Sequence, residues 1–127
     1  MWSSIIAIAE RLGLIVDIPA KQALELWRGV MVTALQKGLP DLTSRQFTLL
    51  LHVYLKDQEH TVRGLAEELN MSKPAVTRAL DRLGKYDFVR RKTDENDRRS
   101  ILVQRTIKGS VYLREFGDMV EQYAEEV

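Results

Sequence analysis

Residues 61–106 read TVRGLAEELNMSKPAVTRALDRLGKYDFVRRKTDENDRRSILVQRT. Within this stretch Val62, Leu65, Ala66 and Leu69 recur at three- and four-residue steps, the spacing of one helix face, and predict a short helix over 62–69 with Thr61 as its cap. Asn70, Met71 and Ser72 form a tight turn, in which Asn tolerates a left-handed backbone. Ser72 then caps a second helix over 73–85, with Pro74 in the first turn, where its missing N–H costs nothing. Val76, Ala79, Leu80 and Leu83 make its inward face. FVRRK (88–92) and SILVQR (100–105) predict two strands around the charged loop TDENDRR (93–99).

Helix, turn, helix, strand, loop, strand is the order of a winged helix-turn-helix. Such a module brings two reading devices to a duplex: a helix that fits the major groove and a loop beside it.

The flanking sequence adds helices. Trp2, Ile5, Ile6, Ala9 and Leu12 predict one over 2–15, ended by Gly13 and by Asp17–Pro19. A second covers 20–37, with Ala23, Leu24, Trp27, Val30, Met31, Ala34 and Leu35 as its apolar face and Gly38 beyond its end as cap. Thr43-Ser44-Arg45-Gln46 is a capping box that opens a third helix with inner face Phe47, Leu50, Leu51 and Tyr54. Asp57 to His60 reads as a polar turn. A last helix starts at Thr106, and Leu113, Phe116, Val120, Tyr123 and Val127 form a heptad seam widened by Tyr112 and Met119. The expected fold class is therefore mainly α: one domain over 1–127, with helical dimerisation parts at 1–40 and 107–127 and a winged-helix part at 43–106.

Composition narrows the function classes. With no cysteine among 127 residues, disulfides, thiol redox sensing and Cys-based zinc sites are excluded. The apolar N-terminal stretch is interrupted by Glu10 and Arg11 and lacks a basic leader, so neither a signal peptide nor a membrane span is expected, and cytoplasmic residence is the default. The net charge is only +1, but it is unevenly spread. Residues 72–108 hold eleven Lys/Arg against five Asp/Glu, whereas 109–127 hold one against five. A basic block in a near-neutral chain is the electrostatic footprint of a duplex-binding surface.

On the second helix of the motif, Lys73, Pro74, Thr77, Arg78, Asp81, Arg82 and Lys85 lie opposite the apolar face. Ser72, Lys73, Pro74, Thr77 and Arg78 stand at its N-terminal end, the end that enters the groove; Arg78 suits a guanine edge, Thr77 a base or a thymine methyl. In the loop, Asp94, Glu95 and Asp97 are out of place on a surface built only to attract phosphate. Asp97 is better read as an acceptor that orients Arg99, beside Arg98, for a narrow minor groove. A calcium loop is rejected: Asp94 and Asn96 alternate suitably, but a central Gly is missing and Arg98 and Arg105 stand at ligand positions.

LTSRQFTLLLHV, VRGLAEELNMSKPAVTRALDRL and FVRRKTDENDRRSILVQRT together resemble the MarR family of bacterial transcription regulators, over roughly residues 20–127. The resemblance implies an all-helical homodimer with a small β-hairpin wing, double-stranded DNA as partner and no cofactor. It places Ser72, Lys73, Thr77 and Arg78 on the recognition helix and Arg99, held by Asp97, at the minor groove. It also implies response to a small aromatic effector bound between the dimerisation helices and the winged module. Trp27, Met31 and Phe47 read first as core residues and, as the second reading, as lining of such a pocket between helices. Three features depart from the family pattern: Asp87 replaces the usual Gly before the wing, Glu95 replaces a Pro within it, and the C-terminal helical part is short.

Two other classes compete. A winged-helix module that binds protein without DNA would rest on the C-terminal apolar seam. An enzyme would need a nucleophile–base pair, a metal-ligand cluster or a phosphate-cradling loop, and none is visible in the sequence. The two histidines, His52 on a helix and His60 in a turn, read as structural or surface residues.

Overall fold

A computed structural model describes Ile5 and residues 19–126. The helix expected over 2–15 lies, apart from Ile5, outside the described residues, as does Val127 at the end of the seam. The element order is α1 (Ala20–Gln36), α2 (Ser44–Leu55), β1 (His60–Thr61), α3 (Val62–Glu68), α4 (Lys73–Lys85), β2 (Val89–Thr93), β3 (Ile101–Arg105) and α5 (Ile107–Glu126).

Local chemistry sets the helix ends. Pro19 precedes α1, and at its other end Gly38 takes φ 68°. Gly38 N–H donates to the Leu35 carbonyl and Leu39 N–H to that of Ala34, both at 3.1 Å, which closes the C-terminus in a Schellman turn. The capping box on α2 is complete: Thr43 Oγ1 accepts from Gln46 N–H, and Gln46 Oε1 accepts from Thr43 N–H. Thr61 caps α3 through Gly64 N–H, Ser72 caps α4 through Ala75 N–H, and Thr106 Oγ1 accepts from Gly109 N–H at the start of α5. Among the described residues, the two non-glycine residues at positive φ are Asn70 (52°) in the turn and Asp87 (59°) before the wing, the short polar side chains best able to adopt it.

The core is continuous through the winged module and up into α1 and α5. Leu49, Leu50 and Val53 of α2, Leu65 of α3, and Val76, Leu80 and Leu83 of α4 are fully or almost fully buried, and Phe88, Val89 and Val103 close it from the sheet. All four residues expected to face inward on α4 do so. On α2 the buried line runs through Leu49, Leu50 and Val53, while Phe47, Leu51 and Tyr54 are half-buried at its margins. The α5 seam is likewise shifted: Tyr112, Phe116 and Met119 are buried, Leu113 and Tyr123 are half-buried and Val120 is exposed.

Two expectations change. The hairpin is one side of a three-stranded antiparallel sheet of order β1-β3-β2. His60 pairs with Val103 and Thr61 with Leu102, in a segment expected to be a turn. The apolar face of α1 is also mostly uncovered. Val30 and Ala34 are buried against α5, but Leu24, Trp27, Met31 and Leu35 are 64%, 65%, 44% and 66% exposed. The helix is apolar on two sides, and among the described residues only one of them is covered.

Candidate nucleic-acid interface

The basic residues are presented by α4 and by the wing that follows it. The buried line Val76–Ala79–Leu80–Leu83 fixes how α4 rolls on the core, so Ser72, Lys73, Pro74, Thr77, Arg78 and Arg82 all face solvent. The six ion pairs of the described residues leave out Lys73, Arg78 and Arg98, so these cations are unneutralised. Arg82 is more constrained: Nη2 donates to the Tyr86 hydroxyl at 3.0 Å and the guanidinium lies 5.1 Å over that ring.

The wing is tied to α4 and to α2. Asp87 N–H and Phe88 N–H donate to the Gly84 and Leu83 carbonyls, so the chain turns directly from α4 into β2. Arg91 Nη2 pairs with Asp81 Oδ1 at 2.7 Å, which links β2 to α4. At the base, Tyr54 donates to the Phe88 carbonyl at 2.7 Å and accepts from Thr106 N–H at 2.9 Å. Arg105 Nε donates to the Val53 carbonyl at 2.8 Å. Neutral and charged hydrogen bonds thus fasten both hairpin strands to the scaffold, while the tip stays free.

At the tip, Asp94 Oδ1 accepts from Asn96 N–H and Asp97 Oδ1 from Arg99 N–H, at 2.9 and 3.2 Å. The expected role of Asp97 is therefore modified. Its short side chain reaches the backbone two residues on, an Asx turn, while Arg99 Nε stays 3.7 Å away, beyond hydrogen-bond reach. Asp97 shapes the loop that carries Arg99 and acts on its guanidinium by charge alone. Arg99 is 95% exposed.

Of the three residues proposed from sequence as effector-pocket lining, two lie together. Met31 and Phe47 share a cleft with Leu39, Tyr112 and Phe116, but its volume is about 30 Å³, and Trp27 does not line it. That is room for one water rather than an aromatic ring. Tyr112 donates to the Pro40 carbonyl at the cleft's edge; burial, with the Asp41 carboxylate and Tyr86 nearby, pushes its phenol up to about 12.

One grouping was not visible in the sequence. His52, His60 and Glu68, from α2, β1 and α3, come together, with a donor atom from each within 4.8 Å of the others. The hydrogen bond from His52 holds the Glu68 carboxyl below its ordinary range. Eight-residue spacing from His52 to His60 and again to Glu68 is no recognised ligand pattern, and only the tertiary fold joins the three.

A three-stranded sheet packed on a helix-turn-helix, with a basic helix and an arginine-tipped hairpin both exposed, defines a winged helix-turn-helix protein. The comparisons make the class specific. The MarR family model matches residues 42–101, most of the winged-helix part of this chain. Among solved structures, the transcriptional regulator Tm0710 of Thermotoga maritima superposes with a TM-score of 0.69 at 22% identity, over 84% of this chain and 72% of that one. S. aureus MepR, in its complex with DNA, gives 0.69 at 20% identity over 82% of each chain. The YusO protein of Bacillus subtilis gives 0.66 at 21% identity over 97% of this chain and 81% of that one. No curated protein matches by sequence. No helix among the described residues is long and apolar enough to cross a membrane.

Proposed function

We propose that this protein is a cytoplasmic, sequence-specific DNA-binding transcription regulator that acts as a homodimer. The N-terminal half of α4 enters the major groove, where Arg78 reads a guanine edge, Thr77 touches a neighbouring base, and Ser72, Lys73 and Arg82 hold phosphates. Arg99, carried on the Asp97 turn beside Arg98, enters the adjacent minor groove. One observation carries the reading: Lys73, Arg78 and Arg98 are exposed and outside every ion pair of the described residues, on a helix and a wing rigidly joined to each other. Unpaired cations on a fixed frame favour a polyanion with regular geometry. The MepR structure with DNA, at the same fold, supports the same use of the frame.

Dimerisation supplies the second reading head. Leu24, Trp27, Met31 and Leu35 form an exposed stripe on α1 that a second copy would bury. A small aromatic effector would act at the cleft beside Met31 and Phe47 only if α1 and α5 move apart to admit it. A mobility-shift assay on duplexes selected from a random pool tests the function. Arg78→Ala should cost about 1–3 kcal/mol and relax base choice at one position, while Arg99→Ala weakens binding broadly. Affinity should fall steeply with salt as counterions are released. Equal binding by both variants and the parent, or a flat salt series, would return the molecule to a protein-binding role.

A further inference from the structure

The described side chains best suited to ligate a metal are ones that the function proposed above does not use. His52 projects from α2, His60 stands on β1 and Glu68 is the last residue of α3; one donor atom from each lies within 4.8 Å of the other two. These are the only two histidines of the chain. The rings meet edge to face with centroids 5.6 Å apart.

The surrounding hydrogen bonds prepare the donors. His60 Nε2 lies 2.9 Å from the Lys56 carbonyl. A carbonyl only accepts, so Nε2 carries the proton and Nδ1 keeps its lone pair. Metal-binding histidines commonly donate one ring N–H to a backbone carbonyl in this way. Gln58 Nε2 donates to Glu68 at 2.9 Å and 3.2 Å, which orients the carboxylate. His52 Nε2 is hydrogen-bonded to the same carboxylate. His60 is buried, whereas the side chains of His52 and Glu68 are 20% and 39% exposed, so the group opens to solvent on one side.

We propose that His52, His60 and Glu68 form a divalent transition-metal site of His2Glu type, with water as the fourth ligand and zinc as the ion that suits it best. The donor set is nitrogen and oxygen without sulfur, which fits Zn2+ and disfavours the soft ions that need thiolate. The ion takes the place of the proton shared by His52 and Glu68. Tetrahedral zinc would draw the three donors to roughly 3.3 Å apart, given bonds of about 2.0–2.1 Å. That movement falls to the partly exposed side chains of His52 and Glu68. Binding would clamp α3, the first helix of the helix-turn-helix, onto α2 through β1. The site stands whether or not the protein binds DNA.

The test uses the full chain, freed of metal with a chelator that is then removed. Zinc chloride is titrated by calorimetry and cobalt chloride by visible absorption, alongside His52→Gln and Glu68→Gln. Both substitutions fall at partly exposed positions and keep a hydrogen-bonding group, and circular dichroism checks that each variant is folded. The parent should take up one ion per chain, show the intense spectrum of four-coordinate cobalt, and melt at higher temperature with zinc. Each variant should bind about tenfold or more weakly and lose the melting shift. Absence of saturable uptake, or uptake with unchanged affinity in both folded variants, would overturn the proposal.

Discussion

Single atoms decide how this small module is braced. Gly109, buried at the start of α5, lies where an added Cβ would collide with the Tyr54 hydroxyl and the Phe88 carbonyl. Tyr54 is the hydrogen-bonded post that joins wing and scaffold, so the clash cannot be relieved by one flexible tip. Gly109→Ala is expected to cost about 1–3 kcal/mol in urea denaturation, as overpacked sites do. Gly117, where nothing lies within 4 Å of an added Cβ, is the control, and Gly117→Ala should leave stability unchanged or slightly raised. Tyr112 gives a prediction in pH. Its phenol is pushed up to about 12 in the fold, above the ordinary 10, so the folded state holds the proton more tightly than the unfolded chain. The resulting stabilisation is complete below pH 10 and is lost as pH rises toward 12. Denaturation across that range should show a fall in stability that Tyr112→Phe flattens.

At the scale of elements, helices were legible because their signals are local. The capping box at Thr43 to Gln46, the Ser72 cap with Pro74, the left-handed Asn70 and the inward line of α4 are all set by neighbours within a turn or two. Ser72→Ala should therefore cost about 1 kcal/mol by thermal or chemical unfolding, the usual worth of such a cap. Elements whose existence depends on distant partners were not legible. Two residues of β1 carry no period, and only β3 makes them a strand. The metal-donor group needs three separate elements to meet. Periodicity also shows that a helix has an apolar face without showing what covers it. On α1 the buried residues are Val30, Ala34 and Gly29; Thr33 hydrogen-bonds Tyr123 of α5, and a Cβ added at Gly29 would lie 2.6 Å from that ring. The larger apolar residues look outward. Of the candidate interface, the exposed face of α4 was readable from sequence, whereas Asp97's role in shaping the loop backbone required the geometry of its turn.

At the largest scale the described residues join a basic surface to a scaffold with uncovered apolar area. Residues 72–108 carry the excess positive charge, and α1 presents Leu24, Trp27, Met31 and Leu35 to solvent. If that stripe holds two copies together, Trp27→Glu combined with Leu35→Glu should convert a dimer into a monomer in sedimentation, with helix content preserved. The same variant should bind half-sites weakly and lose the preference for paired sites, because two linked heads gain from effective concentration. The central claim is that α4 and the Arg99 wing together read a duplex, twice, about one helical turn apart. Selection of bound duplexes from a random pool measures this most directly. The account predicts enrichment of a near-palindrome with that spacing, narrowed by Arg78 and strengthened by Arg99. A pool that emerges from selection without any enriched sequence would contradict it.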